Sequence, residues 1–238
     1  MGNNLTSINA NSLSQNRAEE FGFDLYKDFV LPPIYEKIDF AKSSKSKIFI
    51  GGRGCGKTML LRYLSHETAF STNKSKIEST EFENIGLYWK VDTHLVHLLQ
   101  KRGVQEDVWF SAFEHLVTLK FSLEVVKCLE SIARSNFPNF SLEQFSKSRI
   151  KNPLRSDNTV INFKEFRNSL NKDLRNFQIW LRNVRKQEYP DFYPTIILQD
   201  LVSQIKINFS FLENSRFNLY IDEYENLARS EEHTSELQ

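Results

Sequence analysis

The sequence predicts an α/β fold built on a parallel sheet, and three observations carry that expectation. A short apolar run at 47–50 (KIFI) leads into a glycine-rich loop at 51–58 (GGRGCGKT), which opens onto a helical pattern with Met59, Leu60, Leu61 and Leu64. A second run at 85–92 (IGLYWKVD) reads as another strand, and 216–227 (RFNLYIDEYENL) reads as a third that ends in two acids. A helix-rich stretch separates the second and third strands. Strand, loop, helix in that order is the unit that cradles a phosphate.

The elements follow in order. Residues 1–18 are rich in Asn and Ser and are expected to be disordered. Residues 21–40 mix aromatics with the Pro32-Pro33 break and read as an ordered lead-in packed on the domain. The run 47–50 ends at a glycine and has the character of a buried parallel strand. The stretch 59–70 is a helix, 71–83 a polar loop and 93–101 a short helix. Residues 104–133 form a long helix with Trp109, Phe113, Leu116 and Lys120 along one face, whereas 134–158 are irregular, being rich in Asn, Ser and Pro. From 160 to 188, Phe163, Phe166, Leu170, Leu174, Phe177, Leu181 and Val184 recur at three- and four-residue steps, the mark of a buried or helix-pairing stripe. A last helix spans 194–207, with Pro194 tolerated in its first turn. No internal repeat is evident.

The 238 residues suit one domain of about 200 residues, or one large domain with an insertion. Twenty Phe supply ample bulk for a core. Two cysteines, Cys55 and Cys128, give no disulfide framework, which favours a reducing, cytoplasmic setting. The polar N-terminus lacks the apolar stretch of a secretory signal. No run approaches the roughly 18 apolar residues that span a bilayer. Met1-Gly2 with Thr6 matches the loose myristoylation pattern. Residues 229–238 (RSEEHTSELQ) look like the translation of a common sequencing adapter rather than native protein. On that reading the fold ends near Ala228 and the chain is the N-terminal part of a longer one. The tail holds one Arg and three Glu, so without it 31 basic and 30 acidic residues become 30 and 27, and the net charge moves from +1 to +3.

The loop carries the most specific chemistry. Gly51, Gly56, Lys57 and Thr58 meet the pattern GxxxxGK[ST]. Its glycines permit left-handed turns that point successive N–H groups inward, and Gly51, Gly52, Arg53, Gly54, Cys55, Gly56, Lys57 and Thr58 together form the expected nucleotide cradle. Lys57 would reach the β- and γ-phosphates, and the Thr58 hydroxyl would ligate Mg²⁺. At the end of the third strand, Asp222 would hold Mg²⁺ through water, and Glu223 could polarise the attacking water as general base. A helix N-cap or a solvated turn is the plain alternative for the two acids.

Glu223 beside Asp222 resembles the P-loop ATPases with an extra catalytic Glu, which include the AAA+ group. That resemblance implies strand order 5-1-4-3-2, with strand 4 between the P-loop strand and the acid strand. Here strand 4 would lie beyond residue 228, so a gap or a distorted pairing is expected between the strands ending at Ile50 and Ile221. The polar sensor, arginine finger and any lid would lie there too. The expected fold is therefore an incomplete P-loop parallel sheet of AAA+ type. ATP hydrolysis is expected of the complete protein, and poor nucleotide binding and aggregation through exposed strand edges of the shorter chain. Four stretches, FGFDLYKDFVLPP (21–33), GGRGCGKTMLLRYLS (51–65), GLYWKVDTHLV (86–96) and LYIDEYENL (219–227), resemble bacterial ATPases of the origin-recognition type of AAA+ protein. The resemblance covers most of the chain. It implies ATP and Mg²⁺ as cofactors, with DNA and a homo-oligomer as partners. The loop and the acids are about 165 residues apart, much more than in a minimal AAA+ core, which implies a helical insertion around 97–208.

Other features have two readings each. Residues 147–188 hold Lys147, Arg149, Lys151, Arg155, Lys164, Arg167, Lys172, Arg175, Arg182, Arg185 and Lys186 against Asp157, Glu165, Asp173 and Glu188. That local charge of +7 is either a phosphate-backbone contact or the solvated face of an amphipathic helix. Phe177 and Trp180 read as core. Cys55 is a redox switch in a positive field or loop filler. Arg53 reaches the γ-phosphate or a neighbouring subunit, or is simply exposed. His94, His97 and His115 are too scattered for a metal site. Asp92 and Thr93 either approach the nucleotide or cap a helix. Three functions compete: an ATP hydrolase that drives conformational change on DNA; a nucleotide-gated signalling or scaffold module of a bacterial defence system with slow hydrolysis; and a nucleoside or small-molecule kinase, against which the insertion and the acid pair argue.

Overall fold

The computed structural model describes residues 27, 29–30, 45–52, 54–92, 95, 98, 105–184 and 191–224. The expectations for 1–18 and 225–238, for most of 21–40 and 93–101, and for Arg53, Thr93, His94, His97, Arg185, Lys186 and Glu188 lie outside the described residues.

Helices α1 (Lys57–Tyr63) and α2 (His66–Ala69) follow the glycine loop. Strand β1 (Asn84–Lys90) pairs in parallel with β4 (Arg216–Asp222), in the register Asn84↔Arg216 through Lys90↔Asp222. Parallel neighbours cannot be joined by a tight turn and need a long crossover. Here the crossover carries α3 (Glu106–Arg134), α4 (Leu142–Lys147), α5 (Phe163–Asn183) and α6 (Ile196–Asn208). It also carries a small antiparallel pair, β2 (Arg149–Lys151) with β3 (Val160–Asn162). The helical region expected between loop and acids is thus the connection between two adjacent strands.

Helix α3 is the axis of the core. Its 29 residues extend about 43 Å. Ala112, Leu116, Leu119, Phe121, Val125, Val126, Cys128 and Ile132 are completely buried, and they do not fall on one narrow stripe. A helix apolar on most sides is one surrounded by other elements. On one side β1 packs on it, with Trp89 edge-on to Phe121 at 6.0 Å between ring centroids. On another lies α5, whose stripe Phe163, Phe166, Leu170, Phe177, Leu181 and Val184 is buried as the spacing predicts. Phe177 and Trp180 are both core, stacked at 5.7 Å. A second aromatic cluster, Phe82, Phe137, Phe140, Phe209 and Phe211, closes the end of α3. No described helix is long and apolar enough to cross a membrane.

The structure differs from the sequence expectations at five places. Residues 47–50 form no strand: Ile48 and Ile50 are 77% and 95% exposed, and no ladder among the described residues joins this segment to β4. A strand exists through its neighbour's hydrogen bonds, and an apolar run alone does not supply them. The stretch 134–158 is not wholly irregular, because α4 and β2 lie in it. Ser141 caps α4 in a reciprocal capping box with Gln144, a spacing visible in the sequence. The helix expected from 160 starts only at Phe163, where Asn162 and Glu165 make a second capping box. The third strand stops at Asp222, because Glu223 adopts φ 58 and leaves the extended region. The helix expected over 59–70 breaks at Leu64–Ser65, and Ser65 forms a parallel bridge with Gly86.

That bridge explains a glycine. A Cβ on Gly86 would lie 2.2 Å from the Leu64 carbonyl oxygen and 2.4 Å from the Tyr220 ring. The Leu64 contact is backbone and cannot swing aside. Gly86→Ala is therefore expected to push the α1 end off β1 and destabilise the fold by about 3 kcal/mol, as overpacking does. Urea denaturation checks this, and an unchanged midpoint would contradict the close approach.

Candidate functional site

The 51–58 loop takes the backbone shape that its glycines allow. Gly54 and Gly56 have φ 85 and 86, a region in which a side chain is strained. Gly56 precedes α1, and its carbonyl accepts the first helical bond, from Leu60 N–H at 2.9 Å. Gly56 has no side chain to cap the helix, and no acid lies in the first turn. The N-cap residue therefore gives the initial N–H groups of α1 no side-chain acceptor, an arrangement that favours an incoming anion. At Gly51 a Cβ would meet the Cys55 sulfur at 2.7 Å, so a side chain there would have the Cys55 side chain move aside.

Lys57 folds back across the loop. Its Nζ donates to the Gly51 carbonyl at 2.5 Å and lies 3.4 Å from that of Gly52. It also lies 3.8 Å from Cys55 Sγ, and the Cys55 thiol is exposed. Thr58, the next residue of α1, is half-buried. Among the described loop residues Gly51, Gly52, Gly54 and Cys55 are exposed.

The acids sit at the end of the ladder. Register partners share a face, so Gly86, Tyr88 and Lys90 of β1 lie with Asn218, Tyr220 and Asp222 of β4. The other face, with Ile85, Leu87 and Trp89, is buried against α3. The acid-bearing face is the one that Leu64 approaches at Gly86, and α1 packs against both strands. Loop helix and acids are thereby brought to one side of the sheet.

Asp222 is 4% exposed. Its Oδ1 accepts the Glu223 N–H at 3.0 Å, and its Oδ2 accepts the Tyr88 hydroxyl at 2.9 Å. Both donors are neutral, and no described lysine or arginine forms an ion pair with Asp222. A buried carboxylate whose charge is solvated but not neutralised suits a divalent cation, and with the Thr58 hydroxyl it offers the hard oxygen donors that Mg²⁺ takes. Glu223 differs: it is partly exposed and pairs with Lys90 at 3.2 Å. Its left-handed backbone is held at a cost of about 1–3 kcal/mol, the kind of strain found where a side chain must be aimed.

Sequence reasoning missed Tyr88 and Lys90. The signal was there: both are polar positions alternating with Leu87 and Trp89 in a strand otherwise apolar. Asp92 is exposed just past β1, and His115 is buried among Phe177, Phe192 and Tyr193, with Nδ1 accepting the Tyr193 N–H at 2.9 Å. Burial lowers the His115 pKa to about 4, so it stays neutral as a core acceptor. In the basic stretch, Arg167 pairs with Glu130, and Lys147 pairs with Glu143 at 2.6 Å. Lys164, Lys172, Arg175 and Arg182 are exposed on α5.

Comparison with known families gives one match over most of the chain. Residues 11–230 match the ORC-CDC6-like family. No curated protein and no solved structure matches the chain. The matched span takes in the glycine loop, the crossover helices and the acid pair, and a family of AAA+ relationship suggests nucleotide binding and ATPase activity in general. The chain belongs to the ORC-CDC6-like family.

Proposed function

We propose that this protein binds ATP with Mg²⁺ and, when intact, hydrolyses it to drive conformational change. The observation that supports this most is the acid pair: Asp222 ends a strand that packs against the loop helix, Glu223 follows it, and each is held by a different side chain of β1. The loop N–H groups from 51 to 58 bind the β-phosphate, with Arg53 directed to the γ-phosphate or a neighbouring subunit. Lys57 exchanges the Gly51 carbonyl for phosphate oxygens, a stronger acceptor for an ammonium. The Thr58 hydroxyl and Asp222 hold the metal. Held by these two residues, Mg²⁺ would supply positive charge to offset the charge that develops on the phosphate. Glu223 takes the proton of the attacking water. Partners on this reading are a second copy of the chain in a homo-oligomer and DNA at the α5 face. The setting is cytoplasmic.

Two substitutions in the intact protein separate binding from chemistry. Lys57→Ala should weaken ATP binding by a factor on the order of a hundred, as loss of a charge-assisted contact predicts. Glu223→Gln should keep ATP binding and lower turnover by a factor of about a hundred or more. Filter binding and phosphate release read the two effects, and unchanged turnover in Glu223→Gln would sink the general-base role.

A second reading, a nucleotide-gated module with slow hydrolysis, is favoured by the Lys90–Glu223 pair. An ion pair at 3.2 Å holds the Glu223 carboxylate toward Lys90, so the pair must open before that carboxylate can turn to a water. Lys90→Met is then expected to raise basal turnover several-fold. Equal or lower turnover would count against this restraint.

DNA engagement has its own measurement. Duplex DNA should stimulate phosphate release, and reversing Lys164, Lys172, Arg175 and Arg182 to Glu should abolish the stimulation while basal turnover persists. Stimulation that survives the reversal would place DNA elsewhere.

A further inference from the structure

Resting on the reading of Asp222 as the metal-holding acid, we propose that Tyr88 is its positioning residue: the hydroxyl donated from β1 fixes the carboxylate in one orientation while leaving its charge free. A carboxylate turns easily about its last side-chain bond, because that torsion has no sharp wells. One hydrogen bond leaves it free to rock, and two from different directions fix it. At Asp222 the first comes from the N–H of the next residue, at 3.0 Å on Oδ1, and so moves with the acid's own chain. The second comes from Tyr88 on the neighbouring strand, at 2.9 Å on Oδ2. Among the described residues, only this bond ties the carboxylate itself to a separate element.

The residue type suits the task. Lys90, not Tyr88, is the register partner of Asp222, so Tyr88 reaches it on the diagonal. Diagonal neighbours on paired strands lie about 7–8 Å apart, within the span of a tyrosine and beyond that of a serine. A lysine or arginine in its place would neutralise the carboxylate and compete with a divalent cation. The phenol donates without adding charge. Two residues on, the opposite chemistry is used, with the Lys90 ammonium at Glu223. Strand β1 thus gives a neutral donor to one acid and a cation to the other. Phe at 88 would keep the ring's packing and lose only the donor.

The test compares Tyr88→Phe, Asp222→Asn and the double variant in the intact protein, with Mg²⁺ titrated at fixed ATP. Tyr88→Phe is expected to raise the Mg²⁺ concentration for half-maximal turnover about tenfold, as loss of a residue that orients a metal ligand does. ATP affinity measured in EDTA should stay near wild type, and the thermal midpoint without nucleotide should fall only by the loss of one buried hydrogen bond. In the double variant the Mg²⁺ requirement should be no higher than in Asp222→Asn alone, because Tyr88 acts through that acid. If Asp222→Asn itself leaves the Mg²⁺ requirement unchanged, the metal reading of Asp222 fails and the inference falls with it. If Asp222→Asn raises it but Tyr88→Phe does not, or the two effects add, the positioning role alone is overturned. A fall in ATP affinity in EDTA equal to the shift in Mg²⁺ requirement also overturns it, since that would mark a general structural role.

Discussion

The register of the β1–β4 ladder is the constraint on which the rest depends. Side chains alternate along a strand, so a slip of one residue would turn Tyr88 and Lys90 toward α3 and bring Leu87 and Trp89 out to the acids. The ladder is parallel, so no hairpin sets this register. It is set by burial on one face, where Ile85, Leu87 and Trp89 fit the core around α3, and by close approach on the other, where Gly86 lies beneath the Leu64 carbonyl. Both conditions are met in one alignment only.

The crossover helices act on the site through this same ladder. Helix α3 buries the apolar face of β1, α5 and α6 pack around α3, and the aromatic cluster near Phe140 and Phe209 closes the far end. The acids are therefore aimed by packing laid down by the whole crossover that precedes them, from Glu106 to Asn208. Such a connection is slow to form, because loop closure must precede the contacts that reward it. It also means that the helical region is part of the support of the site rather than an ornament on it.

Electrostatically the site is arranged by donor type. Lys57 is held by backbone carbonyls, which it can leave for a stronger acceptor, and the first N–H groups of α1 have no side-chain cap. Asp222 is solvated by a hydroxyl and an amide, whereas Glu223 is matched to an ammonium. The start of α1 thus offers positive partial charge, and β1 gives a neutral donor to one acid and an ammonium to the other.

The glycine loop, the acid pair, the α5 stripe and the long α3 helix were legible from the sequence. Each rests on local rules: glycines where φ is positive, and apolar residues at the spacing of a helix face. The break at Leu64–Ser65, the true extent of the strands and the short α4 were not read, although Ser141 and Gln144 carried a capping signal. Ile48 and Ile50 show the limit most plainly, because an apolar run becomes a strand only when another strand accepts its hydrogen bonds. Tyr88 and Lys90 stand some 130 residues before the acids they touch. By itself the sequence determined which residues could do phosphate chemistry. Only the tertiary structure decided which acid meets a phenol and which an ammonium, because that pairing follows from strand register.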